Sequence, residues 1–179
     1  HYAASYGGIN EITFNKNDTV KVDPVFYQKN VVNTLEKNFI LIYTKIQRNA
    51  SKIIKNIDFK SKNETLSKMV QQVESFRKIF EGKSKITNIG KLLDQGWTYK
   101  KKLSSKNISN FKIDKMYSLA KKNGAKGGKI CGAGGGGFLL LYVDKKKQPK
   151  IKKVFNNYPF FDFQFDLTGS RITYYDERY

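Results

Sequence analysis

Residues 132–137, Gly132-Ala133-Gly134-Gly135-Gly136-Gly137, put five glycines in six positions between Lys129-Ile130-Cys131 and Phe138-Leu139-Leu140-Leu141-Tyr142-Val143. Glycine gives up more backbone freedom on folding than any other residue, so such a run belongs where the main chain must take positive φ or approach something closely. A phosphate is the usual reason, because successive backbone N–H groups of a glycine-rich loop converge on its oxygens. The run predicts a phosphate-handling site. A ligand-free hairpin turn is the plainer alternative, although two glycines suffice for one.

Gly132, Gly134 and Gly137 satisfy G-x-G-x-x-G, but the flanks argue against a dinucleotide site. That fingerprint opens a helix and is followed about 20 residues later by an acidic residue ending a second strand. Here the apolar run 138–143 reads as a buried strand, and Asp162 lies in what looks like a strand entry. No Gly-Lys-Ser/Thr follows, so a Walker loop is excluded as well. A strand, a glycine loop and a second strand remain.

Three further groups could do chemistry. Arg48 follows an apolar strand closely and is expected one turn into a helix, where a helix N-terminus and a planar guanidinium both favour phosphate; a surface salt bridge is the other role open to it. Lys100, Lys101 and Lys102 follow Trp97 on a helix, and since neighbours stand about 100° apart they cannot all face one pocket. Ser104 and Ser105 could donate to phosphate or end that helix. Cys131 is the only cysteine, either a packing residue or a reactive thiol, and it excludes an intrachain disulfide and a cysteine-based metal site. His1 is the only histidine. Asp94, Asp114 and Asp144 sit in local helix or turn contexts, and no carboxylate pair stands out for Mg2+ or acid–base work.

The elements that must position these residues are legible from periodicity. A helix end closed by Gly7 and Gly8 precedes strands over 10–15 and 19–25 with Asn17-Asp18 as the turn. A buried strand covers 38–43, and Thr44 is expected to cap a helix carrying Ile46, Ala50, Ile53, Ile54 and Ile57. Further helices are expected over 63–80, 86–103, 113–122 and 148–156. Strands are expected over 127–131, 138–143, 160–167 and 171–175. Strands mixed with long helices and joined by hairpins indicate an α+β fold.

Composition bounds the function. The chain has 179 residues, 39% of them hydrophobic, enough for a packed core. No run approaches the about 18 apolar residues of a membrane helix, and a reducing cytoplasm suits the lone thiol. The net charge is +19, carried by 30 Lys and only four Arg. Nucleic-acid readers use Arg for bidentate base contacts, so this lysine surplus reads as solvated surface, with a general pull on anionic substrates. A basic polyanion-binding module is the non-enzymatic alternative.

The stretch Gly124-Ala125-Lys126-Gly127-Gly128-Lys129-Ile130-Cys131, continuing through the glycine run to Phe138, resembles the third motif of the GHMP small-molecule kinases. The resemblance extends to Asp94-Gln95-Gly96-Trp97-Thr98-Tyr99-Lys100-Lys101, to Tyr43-Thr44-Lys45-Ile46-Gln47-Arg48 and to Leu167-Thr168-Gly169-Ser170-Arg171-Ile172. Within the family it is strongest to bacterial D-glycero-D-manno-heptose 7-phosphate kinases, with fucose, galactose or mevalonate as rival acceptors. It implies a GHMP C-terminal domain over 31–179, with helices on one face of a small antiparallel sheet, and a remnant of the N-terminal domain over 1–30. It also implies ATP and Mg2+, with Gly132, Ala133, Gly134, Gly135, Gly136 and Gly137 near the nucleotide. Arg48, Lys100, Lys101, Gly7 and Gly8 are the implied contacts to a sugar phosphate. In those kinases a catalytic Asp and a phosphate loop precede the segment that resembles His1-Tyr2-Ala3-Ala4-Ser5. The chain is therefore expected to be the C-terminal half of a longer kinase, inactive alone, with self-association open to its exposed interdomain surface.

Overall fold

The computed structural model describes residues 1–49, 51, 53 and 60–176. A short helix α1 (Tyr2–Tyr6) leads into a hairpin of β1 (Asn10–Phe14) and β2 (Val20–Pro24), paired from Asn10 opposite Pro24 to Phe14 opposite Val20. Helix α2 (Lys29–Asn38) runs directly into β3 (Phe39–Tyr43). Helices α3 (Asn63–Phe80), α4 (Asn88–Leu103), α5 (Ser105–Ile108) and α6 (Phe111–Lys122) follow. The chain then forms β4 (Ala125–Ile130), β5 (Phe138–Val143), α7 (Gln148–Val154) and β6 (Phe160–Phe161). The main sheet is antiparallel with strand order β4-β5-β3-β6.

The strands β3 and β5 are unbroken apolar runs because both of their faces are covered. Ile40 and Ile42 pair with Leu141 and Leu139, and these side chains join Val143 in a cluster with Trp97, Leu103, Ile113, Met116, Ile151 and Phe155. The opposite face presents Phe39 and Tyr142, which pack with Val31, Leu35, Ile79, Ile89 and Leu93. The α+β class is as expected, while the single helical face is refined to two: α2, the end of α3 and the first half of α4 pack with the Phe39 cluster, and the start of α3, the end of α4, α6 and α7 pack with the other. A Cβ on Gly127 would stand 1.8 Å from the Gly90 carbonyl oxygen, so glycine lets the α4 backbone lie against β4.

Several local expectations fail for tertiary reasons. Thr44 is no helix cap: its N–H and its hydroxyl both donate to the Gly137 carbonyl, at 2.9 and 2.8 Å. Residues 44–49 are irregular, so Arg48 precedes any helix and is not one turn into it. Of the apolar positions expected on that helix, Ile53 is helical and Ala50, Ile54 and Ile57 lie outside the described residues. The alternating stretch 160–167 forms only the two-residue β6, and 171–175 forms no strand. Phe163 and Phe165 instead pack on the cluster around Phe39, and their mutual contact uses the alternation without extending the ladder. Helices α2 and α5 were not anticipated; α2 starts at Lys29, so the division expected at 30/31 falls within its first turn.

Candidate active site at the glycine loop

The loop between β4 and β5 is built by positive φ and by close approach together. Gly132, Gly134, Gly135 and Gly137 have φ of 68°, 108°, 73° and 80°. Gly136 is not among them, and there the need is space: a Cβ would stand 2.5 Å from the Ile46 carbonyl oxygen. The Gly135 N–H donates to Ile108 O at 2.7 Å and the Gly137 N–H to Ile46 O at 3.0 Å. The N–H groups of Gly132, Ala133, Gly134 and Gly136 have no acceptor among the described residues. They are the donors the loop can offer to phosphate oxygens.

The loop carbonyls are gathered by cations. Arg48 spreads its guanidinium over two of them, Nη1 donating to Gly134 O at 2.7 Å and Nη2 to Cys131 O at 3.0 Å. Lys100 Nζ donates to Gly132 O. Asn110 ties the loop to α6, its Nδ2 donating to Gly135 O at 3.3 Å while its Oδ1 caps the helix by accepting from the Ile113 N–H at 3.0 Å. Burial, with Lys129 and Arg48 adding like charge, pulls Lys100 down to about 8. Burial pushes the Cys131 thiol up despite the cations around it, which keeps it protonated at neutral pH and favours the packing role over a reactive thiolate.

The expected site residues divide. Arg48 and Lys100 meet the glycine run, whereas Lys101 turns to the other side of α4, where it pairs with Asp114 at 3.0 Å and lies over the Trp97 ring. Lys102 is exposed. Gly7 and Gly8 make their contacts elsewhere: a Cβ on Gly7 would strike Gly169, and the Gly8 N–H donates to Asp166 O at 2.7 Å. The Ser104 hydroxyl accepts from Asn107 at 2.9 Å. Lys129, Asn110, Ile46 and Ile108 were not anticipated. Asn110 carried a readable signal as a cap residue before an apolar helix; the two isoleucines act through backbone carbonyls and carried none.

The carboxylates are held in structural pairs. Asp94 meets Lys121 at 2.9 Å and accepts from the Tyr117 hydroxyl, and Asp144 meets Lys126 at 2.9 Å. Among the described residues no three His, Cys, Asp or Glu side chains converge. This donor set does not fit Mg2+, which takes carboxylate and water oxygens in near-octahedral array. The free N–H groups and the half-buried cations do fit the phosphate oxygens of ATP. Among the described residues no helix is long and apolar enough to cross a membrane.

The family model of the GHMP kinases C terminal matches residues 73–159, from within α3 to beyond α7, with the glycine loop inside. D-glycero-alpha-D-manno-heptose 7-phosphate kinase of Campylobacter jejuni is 31% identical over 173 residues, which cover 94% of this chain and 51% of that protein. Mevalonate kinase of Methanocaldococcus jannaschii is 28% identical over 152 residues, 85% of this chain and 45% of that protein. Among solved structures, a D-glycero-D-manno-heptose 1-phosphate kinase from Bacteroides thetaiotaomicron shares the fold, with a TM-score of 0.62 and 23% identity over 94% of this chain and 45% of that one. The chain spans about half the length of the curated relatives it matches. Residues 73–159 thus carry the C-terminal domain of the GHMP kinases.

Proposed function

We propose that the chain is the C-terminal part of an ATP-dependent sugar kinase that phosphorylates D-glycero-D-manno-heptose 7-phosphate at the anomeric hydroxyl, a step toward nucleotide-activated heptose. The observation that carries this reading is the 31% identity running along nearly the whole chain to a kinase of that name. The geometry supports it. Phosphoryl transfer is mainly positioning and charge neutralisation, and the loop brings free N–H groups together with Arg48 and Lys100 where phosphate charge would be stabilised. Arg48 acts first as a clamp that holds the loop in shape, and Lys100 adds positive charge beside it. Residues 1–30 belong, on this reading, to the edge of an N-terminal domain that supplies the base and the Mg2+ ligands, and the enzyme works in the cytoplasm.

The 179-residue chain alone is expected to transfer no phosphoryl group, since Asp94, Asp114 and Asp144 are all engaged by lysines. The test is ADP release by the full-length protein with ATP and a panel of acceptors: heptose 7-phosphate, mevalonate, fucose and galactose. Preferred turnover of the heptose phosphate supports the reading. Preferred turnover of mevalonate, the acceptor suggested by the 28% identical relative, would replace it, and robust turnover by the isolated chain would refute its inactivity.

A further inference from the structure

Between α3 and α4, beside the start of the glycine loop, lies a cleft of about 170 Å³. Gln72, Trp97, Lys100 and Lys129 line it together with apolar side chains of both helices. Its polar groups are nearly all donors. Trp97 is 1% exposed and its Nε1 hydrogen has no acceptor among the described residues, an unfavourable state for a buried donor. Lys129 has no ion-pair partner among the described residues, and Lys100 reaches only a carbonyl. The contrast with neighbouring lysines is sharp: Lys101, Lys121 and Lys126 each hold an aspartate. Arg48 adds a third cation to the cluster, and its donors are spent on the loop. Half-buried positive charge without a counter-charge is unfavourable, and a bound anion supplies the counter-charge.

We propose that this cleft is a phosphate site, in which Lys100 and Lys129 hold a phosphomonoester or inorganic phosphate dianion beside the Trp97 indole. Two waters occupy about 60 Å³ at liquid density, so the cleft has room for a tetrahedral oxyanion with a water. The depressed Lys100 ammonium, which a bound dianion would restore, agrees with this. The inference rests on the kinase reading only for the source of the phosphate, which would be the acceptor's own ester group.

Trp97 is the only tryptophan, so the site contains its own probe. The 179-residue chain is titrated at fixed ionic strength with inorganic phosphate, mannose 6-phosphate and mannose, reading Trp97 emission and the single indole N–H resonance. Saturable shifts with both phosphates and none with mannose are expected. Lys129→Gln should weaken them at least tenfold, and Lys112→Gln, on α6, should leave them unchanged. Tighter binding of the ester than of inorganic phosphate assigns the acceptor as the source; equal binding assigns free phosphate. Absence of a saturable shift, equal response to mannose, or wild-type affinity in a natively folded Lys129→Gln variant overturns the site. Kinase turnover by the full-length protein is measured separately, so a failed titration with intact turnover removes this site and leaves the kinase reading standing.

Discussion

Arg48→Gln tests whether the guanidinium is a clamp or a substrate contact. Arg48 donates to Gly134 O at 2.7 Å and to Cys131 O at 3.0 Å, and it approaches Gly132 so closely that a Cβ there would stand 2.8 Å from Nη2. Hydrogen bonds from a charged donor contribute about 1.5–3 kcal/mol each. Arg48 is half-buried, so the lower end applies, and losing both bonds should cost about 3 kcal/mol. In a domain of this size 1 kcal/mol moves the melting temperature by roughly 2–4 °C, so a fall of about 6–12 °C is expected. Arg48→Lys keeps the charge but not the fork, reaches one carbonyl, and should lose about half as much. Urea and thermal unfolding of the 179-residue chain, followed by Trp97 emission, measure this without substrate. If Arg48→Gln unfolds within about 0.5 kcal/mol of the parent, the range of an ordinary surface change, the loop stands without the clamp and the reasoning fails.

Three further outcomes follow from the same contacts. Gly136→Ala drives a Cβ to 2.5 Å from Ile46 O, whereas Gly8→Ala meets only open space at φ 73°; denaturant midpoints should show a loss of about 1–3 kcal/mol at Gly136 and about 1 kcal/mol at Gly8, and the reverse order would refute the packing argument. Asp94→Asn removes the charge facing Lys121 and should cost about 1 kcal/mol in a thermal melt, less in 1 M salt, because this pair is more than a third exposed. Lys100 is held at about 8, below its unfolded value of 10.5, by burial and by Lys129 and Arg48, so its penalty is complete below pH 8 and relieved as pH rises to 10.5. The raised Cys131 thiol acts in the opposite sense above its unfolded value of 9.0. The difference between parent and Lys100→Met stability should therefore shift in the parent's favour from pH 8 to 10.5, and a flat difference would refute the assignment.

Much of the fold was legible because local pattern and tertiary burial agree. The stripe Leu66, Met69, Val73, Phe76 and Phe80 predicted α3 over 63–80, as observed. The run 138–143 read as a buried strand because both of its faces are covered. Failures cluster where contacts outweigh pattern. Residues 160–167 alternate like a strand, yet after Phe161 the aromatics leave the ladder to pad the Phe39 face. Thr44 resembles a cap, but its donors are taken by a carbonyl 93 residues away. At the site, the glycine run was readable and Arg48 and Lys100 were singled out as sugar-phosphate contacts, while their bonds to the loop carbonyls and the part of Lys129 were not, since these depend on how distant elements pack.

Residue type and order alone determined that this chain has a glycine loop between two strands and an α+β plan, because those properties reside in short-range periodicity and in glycine's backbone freedom, while the kinase-family motif was legible as a resemblance. Only the tertiary structure decided what the loop's groups face. It spends the N–H groups of Gly135 and Gly137 on Ile108 and Ile46, gives the loop's carbonyls to Arg48, Lys100 and Asn110, and leaves the Lys129 ammonium and the Trp97 N–H without acceptors among the described residues. Hydrogen-bond direction and charge compensation are properties of neighbours in space, and those neighbours come from four separate stretches of the chain.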